Sequence, residues 1–278
     1  MRLCIGRHGF YDKFSLLFYD KERVACKRIR MIVSIITPCY RAELTIGQTI
    51  ESVIGQTFAD WEMIIVDDAS DDGSARIIKE YCQKDDRIKY LRMNQPSGSP
   101  SMPRNCGIEH SRGELIAFLD ADDVWLPDKL EKQVAFLKNN HYDLVYSYYE
   151  KMSWDGKRNE RVIRTSDVTT YRSLLQSNTI PFLTSVIRRD ALGDTRFKQI
   201  PQEDYCFWLD VLKKGVVAHN YREVLALYRE MKDSRSSNKF YMFKGYWDVI
   251  RNHHRIGLLQ CCYYMMTYSI KGFLKYIK

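Results

Sequence analysis

No two of the eight cysteines in this 278-residue chain stand at C-x-x-C spacing. Several lie inside apolar runs instead. A zinc site is therefore not expected, and the thiols read as reduced residues of a cytoplasmic protein. No run of 18 uncharged apolar residues occurs, which argues against a membrane-spanning helix. The longest candidate, Ile256 to Ile270, has 15 residues including Gln260, and lies in an interface more readily than it crosses one. The apolar cluster Phe14 to Phe18 is too short for the core of a signal peptide. Internal repeats and low-complexity tracts are missing too, so a repeat architecture is not indicated.

The chain is basic, with 43 Lys and Arg against 35 Asp and Glu. The excess sits at the ends: eight cations against three acids in residues 1–30, and seven against one in residues 239–278. The stretch between is mildly acidic. That argues against a nucleic-acid groove through the body and for a basic face meeting an anionic surface such as a membrane. The length suits one large domain with appendages. These are an N-terminal extension over 1–30, poorly ordered or preceding a true start at Met31; a body over 31–238; and a basic, aromatic, amphipathic helical segment over 239–278.

Within the body, apolar runs end abruptly in acids. Leu115 to Leu119 reads as a buried strand and breaks into Asp120-Ala121-Asp122-Asp123. Like charges this close repel, and burial raises their pKa values, so the cluster calls for a cation. Hard oxygen ligands suit Mg²⁺ or Mn²⁺ bridging a substrate's phosphates; a solvated acidic turn capping the next helix is the alternative. Trp61 to Val66 is a second such run, ending in Asp67-Asp68-Ala69-Ser70-Asp71-Asp72-Gly73-Ser74, and Val33 to Thr37 a third, stopped by Pro38. Strands that pass through polar loops into helices predict an α/β fold with a mostly parallel, helix-flanked sheet. Ligands then sit outside the carboxyl ends of the strands, where Thr37, Asp67/Asp68 and Asp120/Asp122 would face one crevice. Further helices are expected over Glu43–Ile54, Ala75–Cys82, from Arg104 to Ser111, from Pro127 to Asn139 and over Glu203–Lys213. Strands are expected at Ile88–Leu91, Leu144–Tyr148, Thr184–Ile187 and Val224–Tyr228. Met231 to Asn238 reads as a mobile polar loop.

The ordered motifs resemble those of the family 2 glycosyltransferases, which have the Rossmann-like GT-A fold. Ser34 to Tyr40 is similar to the opening strand and turn, and Ile64 to Ser74 to the nucleotide-binding segment. Arg104-Asn105-Cys106-Gly107 resembles the R-N-x-G loop and helix, Asp120-Ala121-Asp122 the D-x-D metal motif, and Glu203-Asp204 the E-D motif that carries the catalytic base. The resemblance covers about 31–230 and implies transfer of a sugar from a nucleotide donor with inversion. Arg41 and Pro103 depart from the usual pattern, and the processive Q-x-x-R-W pattern is absent; Tyr228-Arg229 and a serine-rich stretch stand there. Single-sugar transfer is therefore expected.

On this reading Asp122 ligates the metal, and Asp120 contacts the ribose or the metal's water. Arg104 adds positive charge near the phosphates, its alternative being an ordinary surface cation. Thr37, Tyr40, Glu43, Asp67 and Asp68 form the donor pocket. A carboxylate there would accept the uracil N3–H, and which of Asp67 and Asp68 does so stays open. Asp204 is the expected general base, with Glu203 beside it; a helix-terminal acidic pair is the plain alternative. Trp208 reads as core and Trp247 as an interfacial aromatic. The basic aromatic tail suggests a peripheral enzyme on the cytoplasmic face of a bacterial inner membrane, unless its helices simply cover the body. The resemblance implies an undecaprenyl diphosphate-linked sugar as acceptor, a UDP-hexose (glucose or galactose) as donor, and a place in O-antigen or capsule assembly. A non-catalytic binding module of the same fold and a nucleotidyltransferase are the alternatives. The latter would carry a glycine- and lysine-rich phosphate loop that Pro38 to Gly47 does not supply. A haloacid dehalogenase-type phosphatase fits poorly, because its Asp motif opens the domain.

Overall fold

In the computed structural model, residues 32–230 and 239–277 are described, with side chains for 32–230 and 242–270. The readings for residues 1–30 and for Met231 to Asn238 lie outside them.

The strands are β1 (Val33–Cys39), β2 (Trp61–Asp67), β3 (Ile88–Arg92), β4 (Leu115–Phe118), β5 (Val124–Trp125), β6 (Leu144–Met152), β7 (Arg158–Ile163), β8 (Val168–Thr169), β9 (Val186–Arg188) and β10 (Ala218–Arg229). They form one sheet in the order β3-β2-β1-β4-β9-β6-β10-β5, with β7 added beside β6 and β8 beside β10. The first half is parallel: β1 lies between β2 and β4, and β3 extends β2. β9 runs antiparallel to β4 and β6, and β6 and β10 are again parallel to each other. Every residue of β2 and β4 is buried, as expected of strands covered on both faces.

The helices are α1 (Ile46–Ile54), α2 (Ser74–Cys82), α3 (Ser101–His110), α4 (Lys129–Asn139), α5 (Tyr171–Leu174), α6 (Arg189–Leu192), α7 (Glu203–Lys213), α8 (Lys239–Asp248) and α9 (Leu258–Ile277), with a π-turn over Val249–His253. α1 starts later than expected because Glu43 turns its carboxylate onto the Gly73 amide, which holds that residue in the loop. The strand expected over Thr184–Ile187 begins instead as a 3₁₀ turn at Phe182–Thr184.

α3 explains the R-N-x-G sequence. A Cβ on Gly107 would come within 2.5 Å of Ile36 Cγ2, so only glycine lets this helix lie close on β1 and β2. Asn105 exchanges two hydrogen bonds with the Phe197 backbone, accepting at 2.8 Å and donating at 2.9 Å. Together they fix the helix turn from which Arg104 projects. The C-terminal segment extends the core: Tyr246, Val249, Ile250, Cys261 and Met265 are buried with Tyr205, Phe207 and Trp208 of α7. Tyr246 stacks on Tyr205 with ring centroids 5.0 Å apart and on Tyr268 at 4.1 Å. Trp208 is core, as its sequence neighbours suggest, and Trp247 rests half-buried against the same cluster.

Candidate active site

Two adjoining cavities open beyond the carboxyl ends of β1, β2 and β4. The smaller, about 450 Å³, is walled by Pro38 to Ala42, Asp68, Asp122 and Trp154. The larger, about 890 Å³, runs from Tyr149 and Tyr228 to Glu203, Asp204 and Met242. Gly98, Ser99, Pro100, Arg104 and Asp120 line both and form the seam between them.

Arg104 is the central group of the seam. Its side chain is only 5% exposed, so it is not the surface cation of the plain alternative. One terminal nitrogen donates to Asp120 Oδ1 at 2.7 Å and the other to Glu203 Oε1 at 3.0 Å, while the guanidinium lies 4.2 Å from the Phe182 ring centroid. Burial alone would lower its pKa, but Asp120 and Glu203 outweigh that and raise it, so it stays charged. Its Nε makes no hydrogen bond. The planar fork suits this double role in a way a lysine ammonium would not.

The acids around it are electrostatically loaded. Burial, then the charge of Asp120, pushes the Asp122 carboxyl up to about 6, against the pull of Arg229 and Arg104. The Asp123 carboxyl is pushed well above its usual range as well, by burial and both neighbours; it accepts from the Arg229 amide at 3.0 Å and belongs to the wall. Burial and then Glu203 push Asp204 up to about 6, partly offset by Arg104. Glu203 and Asp204 open α7 directly after Gln202, whose φ of 59° is left-handed. Arg41 (50°) and Ala69 (57°) bend the chain the same way just beyond β1 and β2. Such conformations are uncommon for non-glycine residues, and here Arg41 lines the smaller cavity, Gln202 the larger, and Ala69 follows Asp68 of the smaller.

The remaining expected residues separate into two groups. Tyr40, about half exposed, and Asp68 line the smaller cavity. Asp68 also accepts from the Ser97 amide and hydroxyl at 2.9 Å each, which ties down the loop of residues 93–100 between β3 and α3. Asp67 lines neither cavity. It is fully buried and taken up by Tyr90 Oη (2.8 Å), Arg92 (2.5 Å) and the Ser70 amide (2.9 Å), so it braces the loop. Thr37 must also be corrected: it is fully buried in β1 and lines neither cavity, because the strand runs on to Cys39 before the chain reaches the crevice. Glu43, spent on Gly73, lines neither cavity as well.

Arg229 and Trp154 are site residues that the sequence did not single out. Arg229 donates through Nε to the Asp122 carbonyl at 2.7 Å, through one terminal nitrogen to the Trp154 carbonyl at 2.6 Å, and through the other to Gln48. It thereby ties the acidic turn, the β6–β7 hairpin and α1 together. Its sequence signal was the Tyr228-Arg229 pair closing an apolar run. Trp154 had only its presence in a polar hairpin.

The model of the family described as "Glycosyl transferase family 2" matches residues 34–195. The chain belongs to this family. The UDP-Glc:alpha-D-GlcNAc-diphosphoundecaprenol beta-1,3-glucosyltransferase WfgD of Escherichia coli is 35% identical over 88% of this chain and 95% of its own length. Among solved structures, Staphylococcus aureus TarS 1–349 in complex with UDP-GlcNAc superposes with a TM-score of 0.66 at 22% identity, covering 80% of this chain and 65% of that one. The mannosyltransferase PcManGT of Pyrobaculum calidifontis, in complex with GDP-Man and Mn²⁺, gives 0.64 at 15% identity over 90% and 76%. The fold is therefore that of the GT-A glycosyltransferases, and the chain is a glycosyltransferase. A metal would fit at Asp120 and Asp122: both face the smaller cavity, and both offer hard oxygen donors matched to Mn²⁺ or Mg²⁺.

Proposed function

We propose that this family 2 enzyme transfers one sugar, with inversion, from a UDP-hexose (glucose or galactose) to a sugar carried on undecaprenyl diphosphate, in assembly of a bacterial surface polysaccharide such as O-antigen. The observation that carries the reading is the seam, where Arg104 grips an acid of the smaller cavity with one nitrogen and an acid of the larger with the other.

The smaller cavity takes the donor. Tyr40 lies against the base, Asp68 accepts the uracil N3–H, and Asp120 reaches the ribose. Asp122, with Asp120, would hold Mn²⁺ or Mg²⁺, which neutralises the charge growing on the leaving diphosphate. Arg104 supplies fixed positive charge beside it. The larger cavity takes the acceptor sugar. Asp204 removes the proton from the attacking hydroxyl, and a carboxyl near 6 is a stronger base than an ordinary aspartate while still ionised at neutral pH. Base and leaving group then stand on opposite sides of the sugar, which gives inversion. The acceptor class is that of the E. coli relative WfgD.

No helix among the described residues is long and apolar enough to cross a membrane. α9 nevertheless presents Leu259, Tyr263, Met266 and Ile270 outward, at helical spacing, opposite its buried Cys261 and Met265. Together with the cations of residues 239–278, this stripe supports peripheral attachment to the cytoplasmic face of the membrane that holds the acceptor. Purified enzyme with Mn²⁺ and a panel of UDP-, dTDP- and GDP-sugars tests the reading. Release of UDP that depends on a GlcNAc-diphospho-lipid analogue is expected. Release from no donor with any divalent metal would instead favour a non-catalytic module.

A further inference from the structure

On α7, Cys206 and Asp210 stand one helical turn apart, on the face away from Asp204. His254, just beyond the π-turn, reaches the same spot. We propose that Cys206, Asp210 and His254 form a zinc-class metal site that fastens the C-terminal segment to the helix carrying Asp204. Their donor atoms lie within 4.8 Å of one another. His254 is 6% exposed, and its Nε2 makes no hydrogen bond although Asp210 Oδ1 is 3.6 Å away. Its other ring nitrogen lies 3.2 Å from Tyr171 Oη, which fixes the ring with Nε2 toward the cluster. An outer partner of this kind is usual for a metal-binding histidine.

The cluster already selects positive charge. Lys198 Nζ sits 2.7 Å from Asp210 Oδ2 and 3.8 Å from Cys206 Sγ. Its side chain is 42% exposed, so the ammonium can withdraw to water when an ion takes its place. Sulfur, nitrogen and carboxylate donors together suit Zn²⁺, with water as fourth ligand. On binding, the Cys206 thiol releases its proton to solvent and a sulfur–metal bond forms. Thiolate and carboxylate then balance the two positive charges, with the imidazole neutral. The sequence expectation of no zinc site rested on C-x-x-C spacing. Here the fold assembles the donors from distant positions.

Cobalt titrated into the full-length protein tests this. Co²⁺ bound to a thiolate gives a charge-transfer band in the near ultraviolet, whereas Asp120 and Asp122 offer no sulfur and stay silent. One equivalent should saturate the band, and Zn²⁺ should bleach it and raise the thermal midpoint. Cys206→Ser should abolish it. His254→Gln, which keeps every thiol, should weaken cobalt affinity about ten-fold or more. No band in the wild type, a band unchanged in Cys206→Ser, or unchanged affinity in His254→Gln would each overturn the proposal.

Discussion

Asp67 and Asp68 are neighbours in sequence and both are buried, yet they have different work. Asp67 holds Arg92, Tyr90 and Ser70 together, whereas Asp68 turns into the smaller cavity. Asp67→Ala is therefore expected to lower stability by about 1–3 kcal/mol in urea denaturation, since it strands the buried Ser70 amide and the half-buried Tyr90 hydroxyl. Asp68→Ala should instead weaken UDP binding about ten-fold or more, beyond the stability lost with its Ser97 hydrogen bonds, whereas Asp67→Ala should leave UDP affinity within a small factor. The opposite division of effects would reverse the assignment. The acidic clusters themselves were legible in the sequence, but the direction of each side chain was not. Successive residues at a strand end point to opposite faces, so which one meets the ligand depends on register. Thr37 was misplaced because β1 runs on to Cys39 before the chain reaches the crevice, and Arg229 stayed hidden because its partners come from three separate segments.

At the scale of elements, the buried parallel strands were the easiest to read, because apolar runs such as Met63 to Val66 in β2 and Leu115 to Phe118 in β4 leave little choice. β10 was cut short in the sequence reading: its first half carries Asn220, Arg222 and Glu223, and the ladder with β6 slips on either side of Val224. α4 holds a residue that no sequence pattern announced. Lys129 is fully buried, with Nζ 2.6 Å from Gln133 Oε1 and 3.9 Å from the Trp125 ring centroid. Burial lowers its pKa well below the ordinary 10.5. Between the lowered native pKa and the unfolded one, the unfolded chain binds more protons than the native state, so in that window this residue makes native stability rise with pH, by up to about 1.4 kcal/mol per unit. Lys129→Met should remove that slope. Its stability relative to wild type is expected to be greatest at the low-pH end of that window and to fall as the pH rises toward the unfolded pKa, as read by chemical denaturation at a series of pH values. A constant difference would show that Lys129 is protonated in the native protein.

At the scale of the molecule, the fold places a nucleotide-sized cavity beside a larger one and closes the larger with Met242 and Gln202, which donates to the Met242 carbonyl. The C-terminal segment thus borders the larger cavity while its apolar stripe faces outward. Replacing Leu259 and Ile270 together by Glu is expected to abolish flotation with anionic phospholipid vesicles and to leave turnover of a water-soluble acceptor unchanged. Undiminished flotation would remove the stripe from the account. The most direct test of the central claim compares Asp204→Asn with wild type in acceptor-dependent UDP release, with donor affinity measured on the same preparations. Turnover should fall by roughly 10²–10⁴-fold while donor binding stays within a small factor. Near-normal turnover in Asp204→Asn would contradict transfer at this seam with Asp204 as the base.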